Sequence, residues 1–196
     1  MASAARALTA AASAAVVLLL AGCDGGAIAQ STPQSDGQSF VSGSYNTTSY
    51  KLGDRPAAPD VAGVTLSGRH LRLSAYRGSV VVINFWGSWC APCRAEAPAL
   101  GTLARELQPR GVRFLGIDIQ DQRATALAFM RTFRIGYPSL NDPSDSVALA
   151  FRSTVPPAAI PTTLVIDRTG HIADRVVGGV TFRSLKALIL QVLGER

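Results

Sequence analysis

Histidine, cysteine, methionine and tryptophan are all scarce in this 196-residue chain, with two, three, two and two residues respectively. A zinc site draws about four ligands from cysteine and histidine. His70, His171 and one Cys-x-x-Cys pair do not supply a spaced set of them. Arg94 rather than histidine follows that pair, which excludes the Cys-x-x-Cys-His of covalent haem attachment. The formal net charge is +6, yet Lys and Arg are scattered and not interleaved with aromatic residues. The excess therefore reads as a solvated basic surface, suited to weak attraction by an anionic membrane and not to nucleic acid. The stretch from Ala7 to Gly22 is apolar but short for a membrane span. With 47% hydrophobic residues, the chain still supports one packed core, expected over residues 51–196.

What is present concentrates between Val80 and Cys93. In the stretch Val80-Val81-Val82-Ile83-Asn84-Phe85-Trp86 an apolar run of five or six residues from Val80 reads as a strand buried on both faces, followed by a Gly87-Ser88 turn and then Cys90 and Cys93. Residues from Ala91 to Leu107 read as a helix with Pro92 in its first turn, where an N–H is not needed. Cys90 then sits at a helix N-terminus, where free N–H groups and the positive end of the dipole favour a thiolate. Two cysteines at this spacing can close a small disulfide while the first sulfur stays reachable. Cys90 is the expected nucleophile and Cys93 the thiol that resolves the mixed disulfide.

Trp89-Cys90-Ala91-Pro92-Cys93 after Asn84-Phe85-Trp86, followed by Arg94-Ala95-Glu96-Ala97-Pro98, resembles the extracytoplasmic TlpA/ResA-like thiol-disulfide oxidoreductases. The resemblance extends upstream through Ala58-Pro59-Asp60, a hairpin and Tyr76-Arg77-Gly78. It implies an α/β, thioredoxin-like fold: a mixed central sheet flanked by helices, with an N-terminal β-hairpin and an insertion before the strand that a cis proline opens. It makes Pro161 that cis proline, with the peptide groups of Ile160 facing the sulfurs and pairing with an extended substrate. Trp89 is expected to flank the dithiol, and Trp86 to pack in the core. Asn84 stands where thioredoxin proper has a buried aspartate, so another group must take up the proton of the second cysteine. Asp121 and Glu96 are the candidates, against plain readings as a helix cap or a surface charge. No metal and no cofactor beyond the Cys90–Cys93 disulfide is expected.

Residues 1–22, with Arg6 as the only charged side chain, read as a signal peptide. Leu20-Ala21-Gly22-Cys23 resembles the bacterial lipobox, which implies cleavage before Cys23 and its lipidation, placing the domain on the outer face of the cytoplasmic membrane. The span 23–50 is rich in Ser, Gly, Gln and Thr and reads as a flexible tether.

Within the domain, Val61 to Leu66 and His70 to Leu73 predict a hairpin, Val112 to Ile119 a second buried strand, and Arg123 to Arg134 a helix. A short helix near Ser146 to Phe151 precedes Thr162 to Asp167 and His171 to Val177, an antiparallel strand pair. Thr181 is the expected N-cap of the last helix. The resemblance favours a reductase, fed by a membrane electron donor and acting on apocytochrome c during cytochrome c maturation. The alternatives are an oxidant that forms disulfides in secreted proteins, and a copper carrier using both sulfurs with His171 or a methionine. Copper carriers of this fold space their cysteines more widely. The Pro-x-x-x-Thr-x-x-Cys of peroxiredoxins is missing before Cys90.

Overall fold

The computed structural model describes residues 46–156 and 159–195. The expected signal peptide, the expected anchor at Cys23 and most of the expected tether lie outside them. Among the described residues no helix is long and apolar enough to cross a membrane.

The chain runs β1 (Asn46–Ser49), β2 (Ala62–Val64), β3 (His70–Arg72), β4 (Val80–Trp86), α1 (Ala91–Leu107), β5 (Val112–Ile119), α2 (Arg123–Thr132), β6 (Ser139–Asp142), α3 (Ser146–Ala150), β7 (Thr162–Ile166), β8 (Ile172–Val177) and α4 (Phe182–Gly194). Six strands form one sheet in the order β1-β8-β7-β4-β5-β6, and β2 and β3 form a separate hairpin. β5 pairs in parallel with β4 and β6, whereas β4–β7, β7–β8 and β8–β1 are antiparallel, so the sheet is mixed. This is the thioredoxin-like architecture that the resemblance implies.

All seven residues of β4 are buried, because the strand is covered on both faces. Val81, Ile83 and Phe85 pack with Leu115, Ile117, Leu164 and Phe151 on one side. Val80 and Val82 pack with Leu100, Leu103, Leu107, Leu185 and Ile189 on the other. Each such aliphatic side chain contributes about 1.5–3 kcal/mol on burial, which fixes β4 as the rigid rail that ends at the cysteines. Thr181 caps α4 as expected, accepting from the Ser184 N–H at 3.1 Å, while Ser184 Oγ returns a bond from the Thr181 N–H.

Two elements differ from the sequence reading. Residues 46–49, assigned there to the tether, are an edge strand that pairs with Asp174–Val177. Their polarity hid them: Ser49 Oγ donates to Asp174 at 2.5 Å and Arg175 Nη2 donates to Thr48 Oγ1 at 2.9 Å, so backbone pairing and side-chain hydrogen bonds hold the strand where apolar burial does not. β6 was likewise absent from the reading. Leu140 is its only large apolar residue, and it gains its place by parallel pairing with Gly116–Ile119.

Candidate active site

β4 delivers the chain to Gly87, and the turn that follows is tied at both ends. The Cys90 N–H donates to the Gly87 carbonyl at 3.1 Å. The Asp121 carboxylate, just beyond β5, accepts from the Ser88 N–H at 2.6 Å and from Ser88 Oγ at 2.7 Å. Glycine at position 87 leaves room for the indole of Trp89: a Cβ there would lie 2.8 Å from Trp89 Nε1. The indole therefore folds back over the turn while 56% of the residue stays exposed. Trp86 faces inward, stacked on Phe129 with centroids 4.4 Å apart and donating to Ser139 Oγ at 3.0 Å.

Cys90 is the N-cap of α1, and its sulfur accepts from the Cys93 N–H at 3.2 Å. Cys90 and Cys93 are joined as a disulfide with Cα atoms 5.3 Å apart. When that bond is reduced, the same N–H and the α1 dipole stabilise negative charge on Cys90. Cys90 is 5% exposed and Cys93 2%, so the expected open first sulfur is nearly covered in the oxidised form, and what opening remains lies at Cys90.

The Ile160–Pro161 peptide bond is cis. Ile160 is half-buried and packs against both the cluster that holds the cysteines and the cluster on the other side of the sheet. Among the described residues neither its N–H nor its C=O has a hydrogen-bond partner.

Glu96 is neither a cap nor a surface charge. One turn beyond Cys93, it is 3% exposed, with Oε1 accepting from Asn84 Nδ2 at 2.8 Å and Oε2 from the Val180 N–H at 2.8 Å. Asn84 also donates to Thr163 Oγ1 at 3.2 Å. Burial pushes the Glu96 carboxyl up to about 7, against the opposing pull of the two hydrogen bonds. The asparagine that departs from thioredoxin thus orients a carboxyl on the neighbouring helix. Asp121 serves the Ser88 turn. Sequence reasoning missed Asp118, fully buried beside Trp86 in the β4–β5 register. A lone acid within an apolar strand was its only signal.

Residues 55–175 match the AhpC/TSA family. The thiol-disulfide oxidoreductase ResA of Geobacillus thermodenitrificans is 35% identical over 129 residues, 66% of this chain and 72% of the relative. Among solved structures, a secreted thiol-disulfide isomerase from Corynebacterium glutamicum superposes with a TM-score of 0.72 at 34% identity, covering 76% of this chain and 92% of that one. A DsbF homologue from Corynebacterium diphtheriae gives 0.70 at 31% identity, covering 79% and 98%. With its disulfide at the start of α1 and its thioredoxin-like sheet, the chain belongs to the AhpC/TSA family and is a thiol-disulfide oxidoreductase of the ResA-like kind.

Proposed function

We propose that the protein is a reductant held at the outer face of the cytoplasmic membrane by a lipid on Cys23, and that it reduces oxidised Cys-x-x-Cys-His segments of apocytochrome c. Glu96 is the observation that carries the exchange chemistry of this reading: a buried carboxyl one turn from Cys93, with a proton affinity near neutrality, is suited to take the proton of a resolving thiol.

The substrate lies along Ile160, pairs with its peptide groups and meets the exposed face of Trp89. The Cys90 thiolate attacks one sulfur of the substrate disulfide; a mixed disulfide forms and the other substrate sulfur leaves as a thiolate. Glu96 accepts the Cys93 proton, and the Cys93 thiolate attacks Cys90 Sγ. The Cys90–Cys93 bond forms as the mixed disulfide breaks, and the proton held by Glu96 passes to a departing substrate sulfur. Two electrons have moved to the substrate, and a membrane thiol-disulfide donor restores the dithiol. The pair itself is the redox group, so no cofactor or metal enters.

The names of the two solved relatives, a secreted isomerase and a DsbF homologue, favour a second reading, oxidation of secreted proteins. A potential change of about 30 mV corresponds to only about 1.4 kcal/mol, so a few hydrogen bonds around the sulfurs separate the two directions. Cys93→Ala traps the mixed disulfide. Capture of apocytochrome c supports reduction, and capture of assorted secreted proteins overturns it. Cys23→Ala is expected to release the chain from the membrane fraction, and its retention there rejects the lipid anchor.

A further inference from the structure

Asp118 has no part in the exchange steps above, yet it is the least exposed acid in the domain, with 0% exposure. Asn141 Nδ2 makes a long 3.4 Å contact to its Oδ2, while Oδ1 has no hydrogen-bond partner among the described residues. A carboxylate oxygen left so in an apolar setting is costly. Its neighbour offers a remedy. The Asp121 carboxyl lies within hydrogen-bonding reach of Asp118, and its own two oxygens already accept from Ser88 N–H and Ser88 Oγ. A proton on Asp118, directed at Asp121, satisfies the orphan oxygen and adds a donor to a carboxyl that already accepts two hydrogen bonds from Ser88.

We infer that Asp118 carries a proton at neutral pH and donates it to the Asp121 carboxylate, and that this hydrogen bond holds the Gly87–Ser88 turn that presents Cys90, making Asp118 a positioning residue for thiol-disulfide exchange. The surrounding charges agree. Burial, then Asp121, then Asp142 at the end of β6 all oppose a negative charge on Asp118, pushing it up to about 8. On α2, Arg123 is engaged elsewhere, donating to the Leu66 carbonyl at 2.9 Å. Trp86 and Phe129 contribute only neutral rings. Loss of that proton sets two carboxylates against each other, and Asp121 can relieve that repulsion only by moving away, which loosens its grip on Ser88. Two titrating carboxyls then border the site from different sides: Glu96 behind Cys93, and Asp118 beneath the turn before Cys90.

The role rests on the exchange chemistry proposed above, but its test reads Asp118 and Cys90 directly, so failure of the physiological assignment leaves it intact. In the reduced full chain, carboxyl carbon NMR is expected to show Asp118 titrating near pH 8. Titration in the ordinary carboxylate range overturns the inference. Alkylation of Cys90, divided by its thiolate fraction, is measured in E96Q to silence the other buried acid. From neutral pH to about pH 9 this rate is expected to fall on the order of tenfold in E96Q, the loss of one charge-assisted hydrogen bond. It is expected to stay flat in E96Q/D118N, whose amide keeps a donor toward Asp121 without titrating. The same fall in both variants overturns the inference. Should the double variant fail to fold, the wild-type resonance still decides.

Discussion

Replacing Glu96 by glutamine tests the buried carboxyl in two independent ways. In the unfolded chain this group titrates near its ordinary 4.5, and in the folded chain near 7. The folded state therefore binds the proton more tightly, and the stability it contributes is fully present below about pH 4.5 and lost as pH rises through about 7, by about 3 kcal/mol in all. Glutamine never ionises, so E96Q escapes that loss. It incurs a different one, because both Glu96 oxygens accept hydrogen bonds and the amide turns an NH2 group toward one of the two donors. That mismatch costs about 1–3 kcal/mol at every pH. Relative to wild type, E96Q is thus expected to be less stable in acid and to recover about 3 kcal/mol by about pH 8.5. The recovery does not depend on the size of the mismatch. Denaturant unfolding of the oxidised domain at both pH values measures it, and a stability difference that is the same at both refutes a carboxyl titrating near neutrality. The second readout is kinetic. If Glu96 takes the Cys93 proton, resolution of a preformed Cys90–peptide mixed disulfide at neutral pH slows about 10²-fold in E96Q. An unchanged rate removes Glu96 from the chemistry even where the stability result stands.

Trp89→Ala is expected to lower kcat/KM toward protein disulfides about tenfold, as loss of a central aromatic contact does. Reduction of a small disulfide and the unfolding midpoint should barely move, because 56% of the residue is exposed; equal loss on both substrates contradicts a docking role. Arg55 donates to Glu195 at 2.7 and 2.8 Å and to Asp167 at 3.1 Å, tying the start of the domain to its end. Arg55→Ala leaves two carboxylates facing each other and is expected to cost about 2 kcal/mol, roughly 6 °C in the thermal midpoint. Although burial opposes it, hydrogen bonds from Thr169, His171 and Arg55 hold Asp167 below its ordinary range, so the penalty should shrink as pH falls through the carboxylate range. A penalty independent of pH would assign the loss to packing alone.

The parts of this protein legible in its sequence are those whose cause is local. The apolar run of β4, the cysteines at the start of α1 and the Thr181 cap each depend on a few neighbouring residues, and the sequence reading placed each of them within one or two residues of the structure. The acids behave differently. Glu96 occupies a helix position that from sequence alone is as readily solvated as buried. It is inside because α1 turns that face toward Asn84, twelve residues earlier, and Val180, eighty-four residues later. Asp121 touches Ser88 only because β5 lies beside β4 in parallel, bringing the two strand ends together. Asp118 acquires its orphan oxygen from that same pairing. β1 and β6 escaped notice for a related reason, since their place comes from an edge that another strand offers and not from an apolar run of their own. The thiol pair is therefore specified by a short stretch of chain, whereas the carboxyls that set its protonation and its posture are specified by topology. It follows that substitutions far from the cysteines in sequence, at Val180 or along the β4–β5 seam, should change the pH dependence of exchange while leaving the Cys-x-x-Cys segment untouched.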